Sequence, residues 1–222
     1  MCGRYSLICI DDMGSRFRVN KPAFGFRSHF NIAPGSLMPV IIRRERNEAV
    51  MMEWGLVPHW VKEKNEAKHL INARVETLPE KPSFRGLLNS RRCLVPASGF
   101  YEWKKDGTHK TPFYLRLREV PVFSFAGLYD IWHGPQGTGY ATYTIITTGP
   151  NELVSPIHNR MPAILDREDE TRWVSNDVLA ADDLKKILAP YPHGEMEAYP
   201  VSPLVNNPGS DDERLILPIQ GR

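Results

Sequence analysis

Short apolar stretches separated by Pro and Gly dominate the hydrophobic pattern of this chain. Many of them are rich in β-branched and aromatic residues, a length and composition typical of strands. The pattern predicts strands over Tyr5 to Ile10, Pro39 to Arg43, Ala49 to Leu56, Cys93 to Pro96, Phe100 to Lys104, Thr111 to Arg118, Pro121 to Tyr129, Tyr140 to Thr147 and Glu197 to Val201.

Helical spacing of apolar residues occurs in fewer places. It predicts helices over Phe84 to Ser90, Asn151 to Ser155, Glu168 to Val174 and Ala180 to Leu188. Acidic residues lie near the starts of the last two helices, where the helix dipole favours negative charge. Because the strands do not alternate regularly with helices, the expected fold class is α+β: an antiparallel sheet or barrel with peripheral helices.

The length of 222 residues and the absence of repeats or linkers predict one domain over residues 1–222. A loose terminal segment is expected from about residue 206, where Asn206 to Arg214 is rich in Asn, Pro, Gly and acids. The chain has no apolar run of the eighteen or so residues that a membrane helix needs, and it does not start like a signal peptide. We therefore expect a soluble cytoplasmic protein.

The net charge of +2 argues against a polybasic protein, but the charges are unevenly distributed. Residues 1–118 hold 21 Lys and Arg against 11 Asp and Glu, whereas residues 119–222 hold 7 against 15. A basic half is one sign of a surface that binds a polyanion. The alternative is an ordinary solvated surface on which the two halves interleave.

The cysteines, Cys2, Cys9 and Cys93, are too few for a disulfide framework. Removal of Met1 would give Cys2 a free α-amine beside its thiol. Such an aminothiol attacks an aldehyde through the amine, after which the tethered thiol closes a five-membered thiazolidine. The histidines and cysteines show no metal-binding spacing, so no metal or other cofactor is expected.

Several polar residues interrupt apolar stretches. Alternation over Ile71 to Glu76 places Asn72, Arg74 and Glu76 on one strand face. Glu102 lies among aromatic residues, which favours a raised carboxyl pKa and a proton donor, although a rim glutamate paired with a neighbouring lysine fits equally well. His158 and Arg160 are candidates for a proton carrier and a phosphate ligand.

Six motifs occur together along the chain: Met1-Cys2-Gly3-Arg4, Asn31-Ile32-Ala33-Pro34-Gly35, Trp54-Gly55-Leu56-Val57-Pro58-His59-Trp60, Ile71-Asn72-Ala73-Arg74-Val75-Glu76-Thr77, Gly99-Phe100-Tyr101-Glu102-Trp103 and His158-Asn159-Arg160-Met161-Pro162. In this order they resemble the SOS-response-associated peptidase (SRAP) family. The resemblance extends from residue 2 to about Asn206. It implies a distorted antiparallel β-barrel with a basic groove and a sensor of abasic sites in single-stranded DNA.

The resemblance also implies roles for individual residues. Cys2 would be the nucleophile of a covalent DNA–protein crosslink that shields the lesion, after the protein has released its own Met1. The surrounding catalytic residues would be Asn72, Glu102 and His158. Residues expected to bind DNA are Arg4, Pro34, Trp60, Arg74, Trp103 and Arg160. The expected partner is single-stranded DNA with abasic sites, and a nucleoid-associated monomer is expected, or a nuclear one in a eukaryote.

The chain departs from the family at Asn159, where Asp is usual, and so lacks a carboxylate that would favour the protonated imidazole of His158. Two alternative functions stay open. The first is a thiol peptidase with Cys2 as nucleophile, His158 as base, and Asn72 or Glu102 orienting them. The second is a module that binds single-stranded DNA without chemistry.

Overall fold

The structure of the protein, a computed structural model, describes residues 2–9, 13–20, 24–63, 68–134 and 137–219. Strands in these ranges are β1 (Tyr5–Leu7), β2 (His29–Ile32), β3 (Leu37–Arg43), β4 (Asn47–Trp54), β5 (Asn72–Arg74), β6 (Arg92–Ala97), β7 (Gly99–Asp106), β8 (His109–Leu117), β9 (Phe123–His133), β10 (Gly139–Thr148), β11 (Met161–Pro162), β12 (Ile164–Leu165) and β13 (Met196–Pro200). The α-helices are α1 (Met13–Phe17), α2 (Pro82–Arg85), α3 (Arg167–Val174) and α4 (Ala181–Ile187). Single 3-10 turns cover Val75–Thr77, Leu87–Asn89, His193–Glu195, Pro203–Asn206 and Glu213–Ile216.

Five strands close into a barrel. Going round, β10 pairs with β4, β4 with β3, β3 with β6, β6 with β9, and β9 again with β10. The pair that joins β10 to β4 is parallel, whereas the other four pairs are antiparallel. The long strand β9 is continuously buried over its first six residues and β10 over its last seven, as expected for runs of apolar and β-branched residues that face packed neighbours.

The second sheet is antiparallel and has the order β13, β8, β7, β1, β2. The chain passes from the barrel strand β6 into β7 at Ser98, whose amide donates to the carbonyl of Ser6 at 2.8 Å. Gly99 is required at this passage, because a Cβ there would lie 2.4 Å from the hydroxyl oxygen of Tyr114. β1 is therefore an interior strand, with β7 on one side and β2 on the other.

The predicted α+β class, with a distorted barrel and short peripheral helices, is confirmed. The predicted helix over Asn151 to Ser155 is wrong, because this segment forms turns. The Asn151 side chain accepts from the amide of Val154 at 3.0 Å, and Pro156 disfavours helical backbone at Ser155. The strand predicted from Tyr5 ends at Leu7, and its end at Ile10 lies outside the described residues.

The segment after Asn206, predicted from the sequence as loose, makes specific contacts. Leu215 is fully buried in a small cluster with Tyr101, Tyr114 and Val205. The Asp211 carboxylate accepts hydrogen bonds from the amide of Asn31 and lies 2.9 Å from the imidazole of His29. The C-terminal segment is thus fastened to β2. Within the described ranges, no helix is long and apolar enough to cross a membrane.

Candidate functional site

One end of β10 gathers several of the predicted residues. β5 runs parallel to β10, with Asn72 opposite Ile145 and Arg74 opposite Thr147. β11 pairs with the last residues of β10, so Arg160, which directly precedes β11, comes to the same end. Strand pairing therefore unites motifs that are almost ninety residues apart in the sequence.

Cys2 is fully buried beside this strand end. The Asn72 side-chain amide donates to the main-chain carbonyl of Cys2 at 2.8 Å, and the Cys2 Sγ lies 3.7 Å from the carbonyl oxygen of Arg4. Burial raises the pKa of the thiol far above its ordinary value, and the nearby carboxylate of Glu102 raises it further. The thiol is therefore neutral in this environment.

Glu102 and His158 form the acid–base part of the site. Glu102, on β7, is 2% exposed, and burial raises the pKa of its carboxyl from 4.5 to about 7. Its Oε1 lies 3.7 Å from the Nδ1 of His158. That Nδ1 lies 3.1 Å from the backbone nitrogen of Arg160 and 3.2 Å from the carbonyl oxygen of Arg160, so it accepts from the first or donates to the second according to the tautomer. Burial lowers the pKa of His158 and favours the neutral imidazole.

A cavity of about 400 Å³ opens onto Glu102 and His158. Its other lining residues are Trp103, Lys105, Lys110 and Asn206. The indole of Trp103 donates to the Asn206 side-chain oxygen at 2.7 Å, so one aromatic wall is held in a fixed orientation. The rim-glutamate interpretation of Glu102 is wrong, since its carboxyl is buried at the inner end of this cavity.

The arginines predicted to contact DNA have different surroundings. Arg160 makes a bidentate pair with Glu76, at 2.6 and 3.0 Å, so much of its charge is compensated. Glu76 follows the end of β5, in a 3-10 turn, and does not share the strand face predicted for it. Arg74 is exposed. The Nη1 of Arg4 donates to Asn31 at 2.8 Å and to the carbonyl of Val205 at 2.9 Å.

Asn31 connects the site to the C-terminal segment, a role that sequence reasoning missed. It is 5% exposed, and its side-chain amide donates to the carbonyls of Asn207 and Ser210 at 2.9 and 2.8 Å. These bonds fix the backbone that directly follows Asn206, which lines the cavity. The motif around Asn31 was visible in the sequence, but nothing in the sequence identified carbonyls more than 170 residues away as its partners.

Trp60 lies at a different level of the barrel. The loop that carries it is held by a hydrogen bond from the Val57 amide to Thr142, which is five residues before Thr147 on β10, roughly 17 Å along the strand. Asp130 accepts from the amide of His59 at 2.8 Å. The indole of Trp60 is 56% exposed on this anchored loop. Trp60 is not among the residues that line the cavity with Glu102 and His158.

Pro34 lies on a loop as well. It is exposed in the turn between β2 and β3, where the amide of Gly35 donates to the carbonyl of Trp54 at 2.8 Å. Gly35 has a φ of +86°, which a residue with a side chain rarely adopts. Among the described residues, no group of three or more His, Cys, Asp or Glu is arranged to hold a metal ion.

A family model described as SOS response associated peptidase (SRAP) matches residues 1–208. The chain belongs to the SRAP family. Among SRAP relatives, abasic site processing protein YoqW of Bacillus subtilis is 42% identical over 221 residues, which are 97% of this chain and 99% of the relative. Abasic site processing protein YoaM of the same organism is 40% identical over 221 residues, 97% of each chain.

More distant proteins share the SRAP architecture. Abasic site processing protein HMCES of Gallus gallus is 33% identical over 228 residues, covering 88% of this chain and 67% of the relative. A crystal structure of a protein from Bacteroides thetaiotaomicron superposes with a TM-score of 0.89 at 29% identity, covering 99% of this chain and all of the other. The barrel and its attached sheet are thus the SRAP fold.

Proposed function

We propose that this protein processes abasic sites in single-stranded DNA by forming a covalent crosslink through Cys2 after Met1 has been removed. The names of the relatives support abasic sites as the target. The observation that carries the chemistry is a buried carboxyl of raised pKa, that of Glu102, between His158 and Cys2. An abasic deoxyribose exposes an aldehyde when its ring opens, and an aminothiol beside a proton donor captures that group.

The reaction balances without an oxidant or a reductant. The α-amine nitrogen of Cys2 adds to C1′ of the open sugar, and a proton moves to the carbonyl oxygen to give a carbinolamine. Protonated Glu102 donates to the leaving hydroxyl, which departs as water and leaves an iminium ion; its N–H proton returns to the Glu102 carboxylate, which gives a neutral imine and restores the acid. The thiol then adds to the imine carbon and its proton passes, by way of His158, to the nitrogen, which closes the thiazolidine.

Asn72 fits the role of holding the Cys2 terminus. Its amide nitrogen binds the Cys2 carbonyl, which fixes the backbone that carries the nucleophile. Its Oδ1 is buried and, in the described part of the chain, accepts no hydrogen bond. This oxygen is therefore available to accept from the α-amine once Met1 is gone.

The raised pKa of the thiol argues against a thiol peptidase. Such enzymes use a thiolate whose pKa is lowered by a neighbouring imidazolium. Here burial and a carboxylate both raise the pKa of Cys2, and burial lowers the pKa of His158. In the proposed crosslinking reaction the amine attacks first and no thiolate is needed. This environment therefore favours crosslinking over a peptidase reaction, in which a thiolate attacks first.

The decisive experiment mixes the protein with single-stranded DNA that carries one abasic site and separates the products on a denaturing gel. A shifted band is expected for the wild type, with intact mass showing that Met1 is absent. The band is expected to be lost in Cys2→Ala and kept in Cys9→Ala, a matched control at the partly exposed Cys9. DNA retention without a shifted band would support simple binding, and cleavage of peptides would support the peptidase.

A further inference from the structure

The β7–β8 hairpin places two lysines directly opposite each other. In its antiparallel register Lys105 pairs with Lys110, and Trp103 with Pro112 on the same face. Like charges at directly opposed positions repel and destabilise a hairpin. Both side chains are exposed, and within the described ranges neither ammonium lies within 4.0 Å of a carboxylate. The hairpin thus maintains a repulsive pair that the free protein does not neutralise.

This pair faces the reactive end of the site. Lys105 and Lys110 line the same cavity as Glu102 and His158. Lys105 is close enough to His158 that its ammonium contributes to lowering the pKa of the imidazole, after the larger effect of burial. An anion held between the two ammoniums would therefore lie beside the proposed acid–base pair.

We propose that Lys105 and Lys110 form a clamp for one backbone phosphate of the DNA, next to the abasic sugar. This assignment rests on the proposed function and adds a phosphate subsite to it. Cβ atoms of directly opposed residues are about 5 Å apart, so two lysine side chains can converge on the oxygens of one phosphate. The phosphate replaces the repulsion between the ammoniums with attraction to both.

The neighbouring residues favour a nucleic acid strand as the source of this phosphate. Trp103 lies two residues before Lys105 on the same face of β7 and is held by Asn206, so an aromatic surface stands beside the charged pair. Bases stack on such surfaces while the backbone follows positive charge. The cavity therefore offers the two elements that adjoining nucleotides need.

The hairpin also supplies a matched control. Lys104 is the neighbour of Lys105 and is equally an exposed lysine, but it pairs with Thr111 and is not among the residues that line the cavity. If DNA binding depended only on a diffuse positive field, loss of Lys104 or of Lys105 would lower the affinity for DNA equally. If the two lysines form a clamp, only loss of Lys105 or Lys110 lowers it.

The first experiment measures affinity for single-stranded DNA with a tetrahydrofuran abasic analogue, which cannot form an aldehyde, over a series of salt concentrations. In the double variant Lys105→Gln/Lys110→Gln, the slope of log K against log salt is expected to fall by about 0.7, the value for one phosphate of single-stranded DNA. This corresponds to about a fivefold weaker affinity at 0.1 M salt. Lys104→Gln is expected to bind like the wild type. Equal losses in Lys104→Gln and Lys105→Gln, or none in the double variant, would overturn the clamp.

A second experiment locates the phosphate. Neutral methylphosphonate groups are introduced one at a time around the analogue. At one position next to the analogue, a methylphosphonate is expected to lower the affinity of the wild type by about the same factor as the change to Lys105→Gln/Lys110→Gln does. The same methylphosphonate is expected to leave the affinity of the double variant unchanged. If a methylphosphonate at no position removes the difference in affinity between the wild type and the double variant, the lysines do not hold a single phosphate.

These binding measurements are independent of the crosslink. If the wild type bound the analogue but formed no adduct with a true abasic site, the proposed function would fail. The clamp would still be tested by the salt dependence of binding to the analogue. If the double variant kept the salt slope of the wild type and crosslinked at the same rate, the clamp would fail and the proposed function would stand. A thermal melt of each variant, expected not to fall below that of the wild type, controls for folding.

Discussion

Titration of Glu102 is expected to make the protein less stable as the pH rises, and Glu102→Gln is expected to abolish this pH dependence. Burial raises the pKa of its carboxyl from 4.5 to about 7. Between these pH values the folded protein keeps a proton that the unfolded chain has released, so stability falls as the pH rises through this window. A shift of this size corresponds to about 3 kcal/mol in the free energy of unfolding once the pH exceeds the folded pKa.

The assay is urea denaturation of the wild type and of Glu102→Gln at pH 5 and at pH 8. Glutamine keeps the shape of the side chain and carries no charge at either pH. The difference in the free energy of unfolding, variant minus wild type, is expected to be roughly 2 to 3 kcal/mol larger at pH 8 than at pH 5. A difference between the two proteins that is the same at both pH values would refute the reasoning.

Glu76→Gln provides a control of opposite sign. The pKa of the Glu76 carboxyl is lowered by its hydrogen bonds with Arg160. Its contribution to stability is therefore present at pH 8 and lost as the pH falls through the carboxyl range, so this substitution is expected to lower stability more at pH 8 than at acid pH. Because Glu76 is 54% exposed, its effect is expected to be much smaller than that of Glu102.

The same Glu102→Gln protein tests the chemistry. An amide can occupy the position of the carboxyl but cannot transfer a proton to the leaving hydroxyl. Loss of a general acid lowers a rate by about 100-fold or more. The rate of adduct formation is therefore expected to fall by this factor while affinity for the tetrahydrofuran analogue stays the same. Adduct formation at the wild-type rate would remove Glu102 from the mechanism.

Two further substitutions probe parts of the site that act through binding and position. In Trp60→Ala, affinity for undamaged single-stranded DNA measured by fluorescence anisotropy is expected to fall by about 1 to 3 kcal/mol if a base stacks there, with little change in melting temperature because the indole is 56% exposed; unchanged affinity would exclude stacking. In Asn31→Ala, proteolysis near Asn207 and Ser210 is expected to increase because their carbonyls lose the Asn31 amide as a donor; protection equal to that of the wild type would contradict this role.

The sequence singled out Glu102 and Asn72 because each is a polar residue within an apolar motif. For Glu102 the sequence left a buried carboxyl and a rim glutamate equally open, and only the 2% exposure of the residue in the fold decides for the buried carboxyl. Asn31 and Asn206 gave no such signal, since their functions depend on a C-terminal segment that reaches them only in the folded chain. The loop of Trp60 shows the same limit, because only the pairing of β10 fixes how far along the barrel it lies.

Closure of the barrel was also beyond the sequence pattern. Alternation of apolar residues identified most of the long strands, yet it carries no information about which strands become neighbours. The parallel pairing of β10 with β4 and with β5 joins strands that are distant in the sequence. The short strands β2, β5, β11 and β12 have two to four residues, too few for a periodic signal, and are defined by their partners.

The interior position of β1 has a consequence for how a chain terminus can serve as a reagent. Chain ends normally fray, and a frayed nucleophile would lose conformational entropy each time it reacted. Here Tyr5, three residues after Cys2, pairs with both Phe100 and Ile32. The conformational entropy of the terminus is therefore lost once, when the protein folds. The same arrangement means that residues left in front of Cys2 would block the α-amine on which the proposed reaction depends.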